Sequence, residues 1–379
     1  MYKRILDIRS NLNKRSVFLF GPRAVGKSTL LRTAFPEGRF FDLLDSETFS
    51  RLLRRPALLG EETSPEDIVI IDEIQKMPSL LDEVHRLISS REQKCILTGS
   101  SARKLKRGAA NLLAGRARWL SLLPLVSSEI PDFNLLAYLN TGGLPQLYGD
   151  SEAYTDLRSY VDLYLREEIH AEALTRNIAG FARLLDALGL CNGEELNFAS
   201  LSSDTGVHAK TIGNYIEILE DTLLAFQLPV FRATRKRKST SRSKLYFFDV
   251  GVVNAICGRR KVEDSPEGFG KAFEHFIVLE TRAYTQYSRM EEPLSFWRSQ
   301  SGFEVDLVLG NRIGVEIKAT NLVSEKHLKG LRAFREDVPL ERAIVVSRDP
   351  RQRRTQDGID ILPWATFLDE LWGGKVISS

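Results

Sequence analysis

A glycine-rich loop between an apolar run and a helical pattern limits what the first part of this 379-residue chain can fold into. The segment "SVFLFGPRAVGKSTLL" (16–31) fits G-x4-G-K-S/T in the strand–loop–helix context that a phosphate-binding loop requires. Its two glycines let the backbone curl so that successive N–H groups face phosphate oxygens at a helix N-terminus. The bare pattern arises by chance in roughly one percent of chains this long, and the flanking elements lower that chance further. The predicted nucleotide-phosphate site comprises Gly21, Pro22, Arg23, Ala24, Val25, Gly26, Lys27, Ser28 and Thr29.

Two loop residues and two later acids have the chemistry of a nucleotide hydrolysis site. Lys27 can reach the β- and γ-phosphates of ATP, and the Ser28 hydroxyl can ligate Mg²⁺. In "IVIIDE" (68–73), four apolar residues precede two acids at the carboxyl end of a predicted strand, where α/β sheets bind ligands. We expect Asp72 to hold Mg²⁺ through water and Glu73 to act as general base on the attacking water.

Apolar runs that alternate with helical patterns predict an α/β fold with a parallel sheet over the first 130 residues. Several runs are apolar at consecutive positions, as expected where helices cover both faces of a sheet. The predicted strands are 16–21, 39–43, 67–72, 94–99 and 118–122.

The ordered motifs "GPRAVGKST", "IIDEIQ", "LTGSS", "LLAGR" and "GGLP" resemble a prokaryotic AAA+ family across nearly the whole chain. That resemblance implies an ATPase domain followed by a winged helix and a restriction-endonuclease-like domain, with ATP and Mg²⁺ as cofactors and further copies of the chain as partners. Thr98 matches the family's sensor-1 polar residue. A neighbouring subunit would supply an arginine to the γ-phosphate, with Arg116 as first candidate and Arg118 as second. Either arginine could equally be a surface residue whose stem packs on the sheet.

The middle of the chain carries a helix–turn–helix pattern followed by a basic segment. Apolar residues are spaced for two helices packed about a turn at Gly206, namely Leu201, Val207, Ile212, Ile216 and Leu219. The segment 232–244 is rich in Lys and Arg and has no acid. The predicted nucleic-acid contacts are His208, Lys210, Thr211 and Asn214 on a recognition helix, and Arg235, Lys236, Arg237 and Lys238 on a wing. The alternative is a winged helix that packs domains together, with a solvated charged loop.

The segment "FEVDLVLGNRIGVEIK" (303–318) predicts a β-hairpin with an apolar face and a charged face. On the apolar side we expect Phe303, Val305, Leu307 and Leu309, and on the other side Glu304, Asp306, Glu316 and Lys318. Asp306 and Glu316 could hold Mg²⁺ while Lys318 orients a nucleophilic water. Glu274 or Glu280 on the preceding helix would add an acid, and the set resembles a PD-(D/E)xK nuclease in which "EVD" (304–306) stands where "PD" would. Relatives can keep this fold and motif for binding or assembly without cutting nucleic acid, so the resemblance does not decide whether this site cleaves.

Bulk properties add few constraints. The net charge is +3, Cys95, Cys191 and Cys257 show no paired spacing, and the five His residues are scattered, so neither a disulfide framework nor a zinc cluster is predicted. The sequence shows no signal-peptide core and no apolar run near 18 residues, which leads us to expect a cytoplasmic protein without a membrane partner. The predicted domains are an ATPase (1–133), a helical linker (134–190), a winged helix (191–262) and a nuclease-like domain (263–379).

Together these patterns predict an ATP-hydrolysing enzyme coupled to a half that binds nucleic acid, preferably DNA, and that is a candidate Mg²⁺-dependent nuclease. The alternative is a signalling or assembly ATPase whose later domains bind protein partners without cleavage. A small-molecule kinase is disfavoured, because adjacent Asp72 and Glu73 and a long second half suit a mechanical ATPase better.

Overall fold

The computed structural model describes residues 2–101, 113, 115–165, 178–232 and 243–377. The chain divides into two compact units. The first consists of Met1–Leu125, Leu144–Gln146 and Glu217–Leu224, and the second of Val126–Gly143, Leu147–Ile216 and Ala225–Ser379. The domain boundaries predicted at residues 190 and 262 fall inside the second unit and stay predictions.

The first unit contains a five-stranded sheet with the order β2-β3-β4-β1-β5. Neighbouring strands are all parallel, so their carboxyl ends meet at one edge of the sheet. The bounds are β1 Ser16–Phe20, β2 Arg39–Asp42, β3 Ile68–Asp72, β4 Lys94–Gly99 and β5 Ala117–Ser121. The sequence prediction of a parallel α/β sheet built from these five runs is confirmed.

Helices connect these strands and bury apolar side chains against the sheet. They are α1 Ile8–Lys14, α2 Lys27–Ala34, α3 Ser46–Arg54, α4 Leu58–Glu61 and α5 Leu80–Arg91. Side-chain caps satisfy the backbone N–H groups where two of them begin: Asp7 accepts from Ser10 N at 3.0 Å and Asp45 from Thr48 N at 2.8 Å. One apolar cluster joins α5 to residues of β1, β3 and β4. Val69, Ile70 and Ile71 of the apolar run "IVII" are buried because both sheet faces are covered.

Residues 126–256 are mostly helical and end in a β-hairpin and a helix. The helices are α6 Leu135–Thr141, α7 Ala153–Ser159, α8 Ile178–Leu190, α9 Phe198–Thr205, α10 Ala209–Asp221 and α11 Val250–Ile256. A π-helical turn, Tyr160–Leu165, continues α7. The hairpin strands β6 Ala225–Leu228 and β7 Lys244–Phe247 pair antiparallel.

The remainder of the second unit is a mixed sheet of six strands with the order β12-β13-β11-β10-β9-β8. Helix α12 Pro266–Tyr287 precedes β8 Leu294–Arg298, β9 Glu304–Leu309 and β10 Ile313–Lys318, which form an antiparallel series. Helix α13 Lys329–Asp337 then leads to β11 Arg342–Ser347, which pairs parallel with β10. The short strands β12 Arg353–Arg354 and β13 Asp360–Pro363 and the helix α14 Trp364–Trp372 complete it.

The predicted alternation of faces along β9 is interrupted. Between the pairs Ser295↔Val308 and Trp297↔Val305, β9 has one residue more than β8, which is a register shift of the β-bulge kind. Val305 consequently shares an apolar cluster with Val308, rather than only with Leu307 and Leu309 as strict alternation predicted. Phe303, predicted on the apolar face, precedes the strand and is 40% exposed.

Among the described residues, none of the helices combines the length and apolar character that a membrane crossing requires.

Close packing of α13 on β9 gives a stability prediction. A Cβ on Gly330, in the first turn of α13, would lie 2.0 Å from the Glu304 carbonyl oxygen. Gly330→Ala must therefore separate helix and strand, and we expect it to lower the free energy of unfolding by about 1–3 kcal/mol. Gly270→Ala on α12 is the matched control, because a Cβ there meets no atom within 4 Å. The control should stabilise by about 0.5–1 kcal/mol in denaturant unfolding, and equal effects of the two changes would contradict the prediction.

Candidate functional site

The predicted phosphate loop lies between the end of β1 and the start of α2. Gly26 immediately precedes the helix with φ +90°, a left-handed conformation that glycine adopts without steric cost. Ala24 also has a positive φ, 64°. The loop therefore turns tightly and directs the backbone toward the N-terminus of an eight-residue helix.

Lys27 is folded back into this loop. Its side chain is buried, and Nζ donates to the carbonyl oxygens of Gly21 at 2.8 Å and Pro22 at 3.0 Å. The loop thus surrounds one ammonium group, which is held by two neutral acceptors.

Ser28, Asp72 and Thr98 meet at the carboxyl edge of the sheet. Ser28 Oγ donates to Asp72 Oδ2 at 2.6 Å, and the Thr98 hydroxyl donates to Asp72 Oδ1. Strand β4 lies between β1 and β3, so Thr98 lies between the phosphate loop and the acids. A hydroxyl and a carboxylate in contact form the hard oxygen donor set that Mg²⁺ prefers, and these residues therefore fit the ion.

Glu73 has partners that the sequence reasoning missed. It has a left-handed backbone, with φ 60°, and its carboxylate accepts from Gln75 Nε2. Gln75 Nε2 also donates to Ser100 Oγ at 3.1 Å. Gln75 belongs to the motif "IIDEIQ" and Ser100 to "LTGSS". Their membership of these motifs was the signal by which the sequence could have indicated them as partners of Glu73.

The arginine candidates lie near the opposite edge of the sheet. Arg116 is exposed and directly precedes β5, which runs parallel to β1. The amino end of this five-residue strand is about 13 Å from its carboxyl end. Arg118, on β5 itself, donates to Asn11 Oδ1 at 3.2 Å. Neither guanidinium belongs to the group formed by Lys27 and Asp72.

The predicted recognition residues lie on α10. Helix α9 ends at Gly206, whose φ is 68°, and α10 begins three residues later. His208, Lys210 and Asn214 are exposed and Thr211 is partly exposed, whereas the predicted apolar residues of this segment are buried. Arg235, Lys236, Arg237 and Lys238 lie outside the described residues, in the connection between β6 and β7.

A buried acidic cluster forms where α12, β7, β9 and β10 meet. Lys318 Nζ is 2.6 Å from Glu316 Oε1 and 3.4 Å from Asp306 Oδ2. Asp306 Oδ2 also accepts from the backbone N–H of Ile317 at 2.7 Å. Glu274 extends from α12 toward the same group. The side chains predicted for this site, Glu274, Asp306, Glu316 and Lys318, are therefore brought together.

Two further residues of the cluster, Lys244 and Tyr246, were missed by sequence reasoning, and Glu304 was predicted only as part of the charged face. Lys244 Nζ is 2.5 Å from Glu304 Oε1, 3.7 Å from Glu274 Oε1 and 4.0 Å from Asp306 Oδ1. Tyr246 donates its hydroxyl to Glu274 Oε1 at 2.8 Å. Lys244 is the last residue of the basic segment 232–244, so its sequence position grouped it with the other cations of that segment.

The protonation of the cluster follows from its burial. Burial raises the pKa of Glu316 to about 8, with the Asp306 charge adding to the effect and Lys318 opposing it. Burial and Asp306 also raise the pKa of Glu274. Burial by itself would lower the pKa of Lys244, but the surrounding carboxylates outweigh it and raise the pKa, so the ammonium stays charged.

As arranged, this cluster does not fit a divalent metal ion. The Lys244 and Lys318 ammonium groups lie between the carboxylates, and within the described parts of the chain three or more His, Cys, Asp or Glu side chains nowhere converge as a metal site. The residues predicted to hold Mg²⁺ here, Asp306 and Glu316, instead neutralise lysines.

The proposed role of Glu280 in this cluster is wrong. Its carboxylate accepts from Ser127 N at 2.6 Å, Ser127 Oγ at 3.0 Å and Trp372 Nε1 at 2.7 Å. Six residues separate Glu274 from Glu280, and at 100° per helical residue their side chains leave α12 in different directions. Glu280 therefore ties α12 to α14 and to the segment before α6.

Models of three protein families match successive parts of the chain. Residues 13–131 match an AAA domain, 132–263 a domain of unknown function (DUF8612) and 269–367 a second domain of unknown function (DUF4143). The match to an AAA domain, together with the phosphate loop, supports an ATP-binding ATPase of the P-loop class. No curated protein matches this sequence.

Solved structures are similar to the chain only weakly. The ORC1 protein of Aeropyrum pernix in complex with DNA is 10% identical, with 68% of this chain and 94% of that chain covered and a TM-score of 0.27. The RuvB Holliday junction branch migration motor of Thermotoga maritima is 16% identical over 59% and 90%, with a TM-score of 0.30. Can2 from Sulfobacillus thermosulfidooxidans in complex with cyclic tetra-adenylate is 10% identical over 97% and 99%, with a TM-score of 0.21. Scores this low do not establish a shared function.

The buried Glu280 gives a pH-dependent prediction. Burial raises its pKa to about 7, against the lowering effect of the Ser127 and Trp372 hydrogen bonds. A raised folded-state pKa means that the contribution to stability is complete below the ordinary carboxyl pKa and is lost as pH rises through about 7. Glu280→Gln turns an amide toward the N–H donors, so we expect it to cost about 1–3 kcal/mol.

The cost of Glu280→Gln should be largest near pH 5 and smaller near pH 8, as measured by denaturant unfolding. Glu267→Gln is the control, because Glu267 lies on the same helix with an exposed side chain. A cost of Glu280→Gln that does not change with pH would contradict the assignment.

Proposed function

We propose that this protein binds ATP with Mg²⁺, hydrolyses it in the first unit, and uses the cycle to act on nucleic acid bound by the second unit. The observation that supports hydrolysis is the meeting of Ser28, Asp72 and Thr98 beside a phosphate loop that encloses Lys27. These groups come from three different elements that end at one sheet edge.

Each residue of the nucleotide site has a task that its position allows. Lys27 exchanges the carbonyl oxygens of Gly21 and Pro22 for β- and γ-phosphate oxygens, and the loop N–H groups bind the same phosphates. Ser28 and Asp72 would hold Mg²⁺, which neutralises charge on the phosphates when it is bound. Thr98 keeps the Asp72 carboxylate oriented toward Ser28.

Glu73 is the proposed general base. It accepts a proton from the attacking water as the new P–O bond forms and the bond to the ADP oxygen breaks, yielding ADP and phosphate. Gln75 orients the Glu73 carboxylate through its amide.

The position of Arg116 supports action between subunits. In its own chain Arg116 directly precedes β5, at the edge opposite the phosphate loop. If it stabilises the γ-phosphate, it must do so in another copy, and we therefore propose a homo-oligomer in which Arg116 completes the neighbouring site.

Nucleic-acid binding by the second unit is supported by the order helix, turn, helix, hairpin. Exposed Lys210 and Asn214 on α10 support a recognition helix, and we propose a wing for residues 235–238 of the basic segment, which follow β6 in the sequence and lie outside the described residues. We propose DNA as the preferred partner. Clustered Lys and Arg gain from phosphate neutralisation on any nucleic acid.

The order α12-β8-β9-β10-α13-β11 supports a restriction-endonuclease-like fold, which we propose for residues 263–379. Cleavage is not part of the proposal, because two ammonium groups lie among the acids that a metal-dependent nuclease needs. It stays a prediction of the sequence. The alternative function, a signalling or assembly ATPase that binds protein partners, is distinguished by the DNA-binding experiment below.

The nucleotide site predicts a separation of binding from turnover. Lys27→Ala should weaken ATP binding at least about tenfold and abolish hydrolysis, because the phosphate charge loses its buried ammonium partner. Glu73→Gln should keep ATP binding and lose turnover at least about a hundredfold. Lys14→Ala, an exposed lysine at the end of α1, is the control. Hydrolysis by Lys27→Ala at the wild-type rate would refute the site.

The DNA-binding proposal predicts two different losses. Replacing Arg235, Lys236, Arg237 and Lys238 with Ala should weaken DNA binding and flatten its salt dependence, since each lost phosphate contact removes about 0.9 from the log–log slope. Lys210→Ala/Asn214→Ala should weaken DNA binding at least about tenfold near 0.1 M salt. Lys326→Ala, exposed elsewhere in the second unit, is the control in the same fluorescence-anisotropy titration. Unchanged affinity in both variants would favour the protein-binding alternative.

A further inference from the structure

Lys244 occupies the centre of the acidic cluster rather than its rim. Its side chain is 6% exposed, and Nζ lies within 4.0 Å of oxygens from three carboxylates, those of Glu274, Glu304 and Asp306. The ammonium also lies 5.2 Å from the centre of the Phe296 ring, a favourable position for a cation over an aromatic face.

The backbone fixes Lys244 at this point. It is the first residue of β7, paired with Leu228 of β6 on one side and bridged to Glu195 on the other. Leu245 N donates to the Glu194 carbonyl at 3.3 Å, next to this bridge. The backbone pairs fix where the side chain of Lys244 begins, and the burial of that side chain keeps its ammonium group among the carboxylates.

We propose that Lys244 is the resident cation of the cluster and that it occupies the point where Glu274, Glu304 and Asp306 would otherwise hold a divalent metal ion. Hard divalent cations take carboxylate oxygens at about 2.0–2.6 Å, and three such oxygens already surround the Lys244 ammonium. An ammonium and a metal ion cannot share that point, because like charges a few ångströms apart repel strongly when buried.

The charges of the cluster support this assignment. Lys318 lies against Glu316 and Asp306, and Arg298 reaches Glu304 at 3.7 Å from the surface. Removing Lys244 would leave Glu274 with Tyr246 as its remaining close partner and would bury negative charge without a counter-charge. Binding of a divalent ion at that point would then be favoured, because the ion would restore the positive charge that the lysine now supplies.

Glu316 is the acid that pairs with Lys318. Its Oε1 atom contacts Lys318, and its buried Oε2 atom has no hydrogen-bond partner in the described part of the chain. The point occupied by Lys244 is therefore defined by the three other acids, Glu274, Glu304 and Asp306.

Neither ATP hydrolysis nor DNA binding enters the test, because the quantity measured is metal binding by the cluster. The experiment measures Mn²⁺ binding by electron paramagnetic resonance on the full-length, nucleotide-free chain. Every sample carries Asp72→Asn, so that the acid of the nucleotide site does not contribute. Lys244→Met keeps a stem of similar length and removes the charge.

We expect Lys244→Met to bind one Mn²⁺ per chain at least about tenfold more tightly than the parent, because three carboxylates lose their competing cation. Adding Asp306→Asn to Lys244→Met should abolish the gain. Lys244→Arg keeps the charge and should bind no more Mn²⁺ than the parent.

Two results would overturn the proposal. The first is a folded Lys244→Met variant, judged by circular dichroism and a cooperative thermal transition, that gains no Mn²⁺ binding. The second is Asp306-dependent Mn²⁺ binding in the parent with intact Lys244. The second comparison uses only the parent and its Asp306→Asn variant, so it decides the question even if Lys244→Met does not fold.

Discussion

Parallel pairing of three adjacent strands is the constraint on which the nucleotide site depends. Because β1, β4 and β3 run in the same direction, their carboxyl ends share one edge. Asp72 and Thr98 lie at the ends of β3 and β4, and Ser28 lies in the first turn of α2, which follows β1, so the three side chains meet at one point. A change in the direction of any one strand would move its side chain to the other edge. The hydrogen bonds from Ser28 and Thr98 to Asp72 are a direct consequence of this geometry.

The second unit is organised by a different requirement, the neutralisation of buried charge. Four acids converge where α12, β9 and β10 pack together. Glu274, Glu304 and Asp306 have cationic or hydroxyl partners from other elements, and Glu316 contacts Lys318 of its own strand. Since an unpaired buried carboxylate would be strongly destabilising, the lysines on β7 and β10 are as much part of the fold as the apolar residues around them.

Local pattern was sufficient to predict the strands, the phosphate loop and the order of elements around the hairpin, because each depends on neighbouring residues. The local pattern was not sufficient where contacts between residues far apart in the sequence determine the structure. The bulge on β9 depends on its pairing with β8, and the role of Glu280 depends on Trp372, 92 residues later. Lys244 resembled the cations beside it in sequence, and only tertiary packing separates it from them. Helical periodicity could have shown that Glu274 and Glu280 lie on different faces of α12, but not which of them meets the hairpin.

The pairing register of one hairpin sets the electrostatic balance of a cluster built largely by other elements. Leu228↔Lys244 is the pair that places an ammonium beside Glu304. A slip of one residue would present Ser243 or Leu245 at that position and turn the neighbouring side chains to the opposite face. The cluster would then carry one more uncompensated negative charge without any change in its own residues. A register slip of this hairpin is therefore equivalent, for this cluster, to a charge mutation.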